Sequence, residues 1–185
     1  MSTRSNLCFE MPDKKIKYIY VHSDGYPYGV GKILIDHYND YAKAESLFHH
    51  GDASYLDSTI DGCSFYARDW ERDAKENQAR IARDEWMYMR GMDGDVFIEY
   101  IYLFKNNRWH VSEMTSVKTP KGYNDTHCYF KKFELLEHNK QYIKYRDKHE
   151  KHAEVKMVSQ LGNMLRKQFK TDKILVQGGK MKKSN

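Results

Sequence analysis

His22 and Asp24 stand two residues apart, at the end of an alternating run and just before a turn rich in glycine. Histidine titrates near neutrality and a nearby carboxylate can orient it, so the pair could give or take a proton. Gly29 and Gly31 follow, and a backbone without Cβ lets another group come close. A helix starting near Val30 would aim free N–H groups at an anion there. Arg4 and the Arg68-Asp69 pair offer charge suited to phosphate or carboxylate, and Tyr26 offers a ring that could stack on a base. Together these residues outline a polar pocket. His22 and Asp24 would do acid–base work if the protein is an enzyme. Arg4, Tyr26, Gly29, Gly31, Arg68 and Asp69 would hold a nucleotide-like ligand. The glycine spacing is neither the P-loop pattern nor the dinucleotide fingerprint. Two structural readings therefore stand beside the functional one: a tight strand-to-helix connection, and an ion-pair network of Arg4, Asp24 and Asp69.

A second group of residues suggests a different chemistry. Lys140, Lys144, Arg146, Lys148 and Lys151 alternate with Tyr142 and Tyr145, a mixture that could follow a phosphate backbone and stack on bases. Charge is unevenly placed: residues 1–130 carry 16 Lys+Arg against 20 Asp+Glu, and residues 131–185 carry 15 against 6. A basic end on a mildly acidic body fits a nucleic-acid or acidic partner, or a solvated lysine-rich helix. The stripe Val155, Val158, Leu161, Leu165 and Phe169 has helical spacing, and the favoured expectation is that it packs on the chain's own sheet; a second copy or a host protein is the alternative.

Other reactive residues point to little. His149 and His152 lack the HExxH pattern, and no zinc-knuckle or CxxC spacing occurs, so neither a metal nor a cofactor is expected. Cys8, Cys63 and Cys128 are an odd number and read as free thiols. Ser2 or Thr3, exposed by removal of Met1, would be an N-terminal nucleophile, although serine after methionine is ordinary.

These residues need elements to position them. Ser5–Met11 and Ile16–His22 read as strands joined by a turn at Pro12-Asp13-Lys14-Lys15, an antiparallel hairpin. Helices follow from about Val30 and over Tyr41–His50, with Gly51 as the C-cap. Cys63–Ala67 reads as a short strand, leading through Arg68–Asp73 into a charged helix that reaches about Asp84. Asp95–Phe104 is rich in β-branched and aromatic residues, and Arg108–Met114 returns as its hairpin partner. Thr119–Tyr123 is a loop, and the pattern turns helical from about Tyr129. At 185 residues the chain is long enough for one full domain. The fold class expected is α+β: a mostly antiparallel four- or five-stranded sheet with helices packed on it and a long, basic, helical C-terminal part. The expected divisions are a core over 1–130, a helical extension over 131–170 packed on the core or on a partner, and a basic flexible tail over 171–185. No run of about 18 apolar residues exists, so no membrane partner is expected.

The opening MSTRSN (Met1–Asn6), the segment YxHxDGYPxGVG and the hairpin YxYLFxxxxWxVS carry a resemblance. The matching residues are Tyr20, His22, Asp24–Pro27, Gly29–Gly31, Gly51-Asp52, Arg68-Asp69, Tyr100, Tyr102–Phe104, Trp109, Val111 and Ser112. They resemble a family of small proteins found largely in bacteriophages and prophages, generally of unassigned function. The likeness covers roughly the first 115 residues. It departs at Ser23, where the family usually has tryptophan, and at Trp70-Glu71, within the family's Arg-Asp-Arg-Gly-Glu run. The resemblance implies a phage-encoded accessory protein in the cytoplasm of an infected bacterial host. Such a protein would bind a host or defence-system protein and interfere with it, with a nucleotide-like small molecule as a candidate ligand. Binding leads over catalysis. The alternatives are a small metal-independent phosphodiester hydrolase in the same pocket, and an RNA- or DNA-binding protein using the basic end. A homo-oligomer is compatible with all three.

Overall fold

In a computed structural model the described residues are 2–118 and 126–178. They form an α+β chain that divides into two compact units, 1–143 and 144–185. The loop expected at Thr119–Tyr123 lies outside the described residues, as does the tail from 179 onward.

The first unit is built on the hairpin read from the sequence. Strand β1 (Ser5–Glu10) pairs antiparallel with β2 (Ile16–Val21), Ser5 opposite Val21 and Glu10 opposite Ile16. Lys14 takes a left-handed φ of 65° in the turn, and Met11 and Lys15 close it with a 2.9 Å backbone hydrogen bond. The chain then runs through helices α1 (Val30–His37) and α2 (Tyr41–Ser46) and a 3-10 turn at Leu47–His49. Strands β3 (Ala53–Tyr55) and β4 (Ser64–Phe65), helices α3 (Tyr66–Asp69) and α4 (Ala74–Asn77), strand β5 (Arg80–Ala82) and helix α5 (Glu85–Gly91) follow. The unit finishes its sheet with β6 (Tyr100–Lys105), β7 (Arg108–Lys118), β8 (Thr126–Phe130) and β9 (Glu134–Leu135).

The sheet is larger and more mixed than the expected four or five mostly antiparallel strands. Its order is β4-β3-β2-β1-β6-β7-β8, with β5 on β2 and β9 on β7, nine strands among the described residues. β1 lies parallel to β6, and β2 parallel to β3 at Val21 and Ala53. The reason is the burial of β1 on both faces. Leu7, Cys8 and Phe9 are each fully buried, the near-continuous apolar run of an interior strand that takes a crossover neighbour. Alternation then makes two cores. Leu7, Phe9, Ile19, Val21, Tyr102 and Phe104 meet Val30 and Leu34 of α1 on one face. Cys8, Ile16, Ile101 and Leu103 meet Tyr88 of α5 and Met92 on the other.

Three further expectations change. The charged helix expected after Arg68–Asp73 starts where Asp73 caps it, accepting from the Lys75 N–H at 2.7 Å. It ends at Asn77 instead of reaching Asp84, because Arg80–Ala82 pair with β2 as a strand. The strand read from Asp95 begins only at Tyr100, since the Asp95 carboxylate accepts from Phe97 N–H at 2.7 Å and curls the backbone. The helix expected from Tyr129 starts at Lys140, after β8 and β9. Its cap is Asn139, which accepts from the Gln141 and Tyr142 N–H groups.

Helix α6 (Lys140–Gly178) provides the described part of the second unit. Residues 171–178, expected as flexible tail, lie within this helix. Its apolar residues Val155, Val158 and Leu161 are 66%, 66% and 52% exposed. No described helix is long and apolar enough to cross a membrane.

Candidate functional site

The segment between β2 and α1 is built as a tied turn. Asp24 takes a left-handed φ of 56°, and its carbonyl accepts the Val30 N–H at 2.8 Å. The Gly25 N–H donates to Thr3 O at 2.9 Å, and the buried Tyr102 hydroxyl donates to Gly25 O at 2.7 Å. A Cβ on Gly29 would stand 2.2 Å from Asp24 O, and one on Gly31 would stand 3.2 Å from a Leu136 methyl. The space beside both glycines is therefore taken by protein. Tyr26 packs against Gly29 and keeps 40% of its surface exposed.

Arg4 and His22 are brought together around Tyr20. The Tyr20 hydroxyl and His22 Nδ1 share a 2.8 Å hydrogen bond, and Ser2 Oγ donates to His22 O at 2.6 Å. Burial pushes the Tyr20 hydroxyl pKa up, against the pull of the neighbouring Arg4 guanidinium. Beneath them lies Asp52. Its carboxylate accepts from the Tyr20 N–H at 2.7 Å and from Arg80 at 2.6 Å, while burial holds its pKa above the ordinary carboxylate value. The reason is topological: β5 covers β2 at Ile16–Tyr18 and β3 covers it at Val21, so the Tyr20 N–H falls in the gap.

Arg68 and Asp69 belong to another place. Arg68 bonds both Asp69 carboxylate oxygens, at 2.7 and 2.8 Å, and also the carbonyls of Ile60 and Cys63. Asp69 in turn accepts from the Phe65 N–H at 2.8 Å; Arg68 first, and this bond second, hold its carboxyl below the usual range. The pair pins the β4–α3 corner. Arg68 lines a cleft with Lys17, and Lys17 alternates along β2 with the Tyr18 and Tyr20 side, so this cleft and His22 lie on opposite faces of the sheet. Lys140, Lys144, Arg146 and Lys148 lie on α6. Arg146 pairs with Asp147 at 2.9 Å and Glu150 at 4.0 Å, and Lys140, Lys144 and Lys148 are exposed. Among the described residues no group of three or more His, Cys, Asp or Glu could hold a metal ion.

A further cleft combines aromatic walls with cations. It has a volume of 530 Å³ and lies between α5 and the β8–β9 connection, lined by Glu85, Trp86, Met89, Lys105 and Phe130–Phe133. Trp86 is 59% exposed, unusual for so large an apolar ring. Arg90 lies 5.1 Å from its centroid, and Lys105 lies 5.6 Å from that of Phe133. Lys105 pairs with Glu85 at 2.8 Å and Lys131 with Glu113 at 2.7 Å. Exposed Lys132 has no ion-pair partner among the described residues. A volume of this size with few polar groups on apolar walls matches a small-molecule site. The sequence carries its signal as Phe130-Lys131-Lys132-Phe133, an aromatic-lysine-lysine-aromatic run that helical periodicity obscured.

The fold and this geometry define an α+β protein with a mixed sheet, a tied glycine turn and an aromatic, lysine-rimmed cleft. No protein-family model matches the chain, and neither does any curated protein or solved structure.

Proposed function

We propose that this chain is a phage-encoded accessory protein of the infected bacterial cytoplasm that works by binding. It takes a nucleotide-like ligand in the cleft between α5 and the β8–β9 connection and so interferes with a host or defence component. The observation that carries the ligand is the joint lining of Trp86, Phe130 and Phe133 with Lys105, Lys131 and Lys132. A planar base stacks on the exposed Trp86 ring, and a phosphate meets the lysines, above all Lys132, which has no ion-pair partner among the described residues. Binding is favoured over turnover because the described lining residues include no histidine, serine or cysteine, and the one carboxylate among them, Glu85, is tied to Lys105. The phage and host context rests on the resemblance of the first 115 residues.

Calorimetric titration with the four common nucleoside 5′-monophosphates tests the reading, with product analysis alongside. Saturable binding is expected, and Trp86→Ala should weaken it about 5- to 100-fold, since stacking of one base contributes about 1–3 kcal/mol. Lys132→Glu should weaken it as well. Failure of all four nucleotides to bind, or unchanged affinity in Trp86→Ala, overturns the assignment. Ester cleavage during the titration would replace binding by hydrolysis.

A further inference from the structure

The cleft on the opposite face of the sheet has a different character. It measures 610 Å³ and gathers Lys17 of β2, His49 and His50 after α2, Arg68 of α3, and Gln78 before β5. No carboxylate is among its described lining residues. Its floor is Gly51, which has a left-handed φ of 76°; a Cβ there would lie 1.9 Å from Asn77 O. The adjacent Asp52 N–H donates to the same carbonyl at 2.7 Å. That close approach of two backbones fixes the histidines next to the turn before β5.

Each cation is held differently. The Arg68 guanidinium is spent on Asp69 and two carbonyls and lies 5.1 Å from the Phe65 centroid, so it is a rigid wall. The His50 ring packs on Phe65 at 4.8 Å between centroids. Lys17 comes from a strand whose other residues on this face, Ile19 and Val21, are core, and it has no ion-pair partner among the described residues. Burial first, then Arg68 and His49, depress the His50 pKa; Asp69 and Asp61 oppose them more weakly. The cleft therefore sets Lys17, which has no ion-pair partner among the described residues, beside two imidazoles and the Asp69-paired Arg68, and concave walls focus the field of such a charge.

We propose that this cleft is an oxyanion site for a phosphate or phosphomonoester group. Lys17 supplies the permanent charge, and the imidazoles of His49 and His50 supply hydrogen bonds that strengthen when protonated. The inference is independent of the nucleotide cleft, because the sheet lies between the two.

Proton NMR of the nine histidines in the full chain tests it. The His50 C2–H titration is followed in inorganic phosphate, in methyl phosphate and in chloride at matched ionic strength. Phosphate should raise the His50 midpoint saturably, because the bound anion favours the imidazolium. Lys17→Met, which keeps the aliphatic stem, should weaken phosphate about tenfold or more, the loss expected of one charge-assisted hydrogen bond. Exposed His49→Gln should weaken it less, and Trp86→Ala should leave it unchanged. Methyl phosphate binding as well as phosphate assigns an ester-borne group; phosphate alone assigns the free anion. No saturable shift in either, or an equal shift in Lys17→Met, overturns the proposal. Because Trp86→Ala is assayed in parallel, failure of this site and failure of the nucleotide cleft are read separately.

Discussion

Replacing Asp52 by alanine should be among the most damaging single changes in the sheet. One carboxylate oxygen satisfies two donors, the Tyr20 N–H at 2.7 Å and Arg80 at 2.6 Å. The two losses are unequal. Arg80 is 41% exposed and turns to water, so its ion pair contributes no more than about 1 kcal/mol. The Tyr20 N–H lies in the gap between β5 and β3, where an orphaned, part-buried donor costs about 1–3 kcal/mol. Asp52→Ala is therefore expected to lose about 1–4 kcal/mol in urea unfolding at constant m-value. Asp52→Asn, whose amide oxygen still meets the N–H, should lose about 1 kcal/mol. A pH series sharpens the comparison. Burial raises the Asp52 pKa in the folded state above the ordinary 3.8, outweighing the Tyr20 N–H and Arg80. A group raised on folding contributes fully below its unfolded pKa and loses that contribution as pH rises through the folded value. The native protein should therefore gain on Asp52→Asn as pH falls from neutrality. Equal losses in the alanine and asparagine variants would refute the gap-bridging role.

Two further perturbations separate structure from ligand chemistry. Gly29→Ala drives a Cβ into the Asp24 carbonyl that holds the Val30 N–H, and thermal or urea unfolding should show a loss of at least about 2 kcal/mol. Gly31→Ala gains about 1 kcal/mol of helix propensity, but its Cβ would stand 3.2 Å from Leu136 and 3.3 Å from Tyr102, both fully buried. Overpacking of that kind costs about 1–3 kcal/mol, so a smaller loss than at Gly29 is expected. The depressed His50 pKa makes stability pH-dependent with the opposite sign to Asp52: the contribution is full above the ordinary 6.5 and is lost as pH falls through the folded value. His50→Gln should flatten the decline in unfolding free energy below pH 6.5, and phosphate should do the same in the native protein.

The local elements were legible where short-range chemistry decides them. The β1–β2 hairpin follows from alternation around Pro12-Asp13, and the β6–β7 hairpin from aromatic runs around Asn106-Asn107, both of which take left-handed φ values. Long-range pairing was not legible. Nothing in Ser5–Glu10 says that its second neighbour is β6, ninety residues on and parallel; only its burial on both faces carries that information. The stretch from Ala74 to Asp84 is helical only as far as Asn77, because its charged residues suit a helix surface as well as an edge strand such as Arg80–Ala82. Of the candidate site, Arg4 and His22 do meet, through Tyr20. Arg68 lies on α3 beside Lys17, on the other face of the sheet; the alternation along β2 is legible in the sequence, but the face that α3 covers is not.

That alternation also decides how the two clefts relate. Lys17 and Tyr18 are neighbours in sequence, yet one opens on the cleft of His50 and Arg68 and the other packs at a tilt on Tyr88. α5, which carries Trp86, packs on the Tyr18 face, with Tyr88 and Met89 against Cys8, Ile16 and Leu103. Any coupling between the clefts must cross β2 and β1, where Cys8, Ile16 and Ile19 are buried to 1% exposure or less. If both proposed sites are occupied, a phosphate in one cleft and a base in the other should bind additively, as sites without shared partners do. A single ligand could not span them. If the protein engages a host component through both, it does so with two separate groups of that component, one aromatic and one anionic, presented to opposite faces of the same sheet.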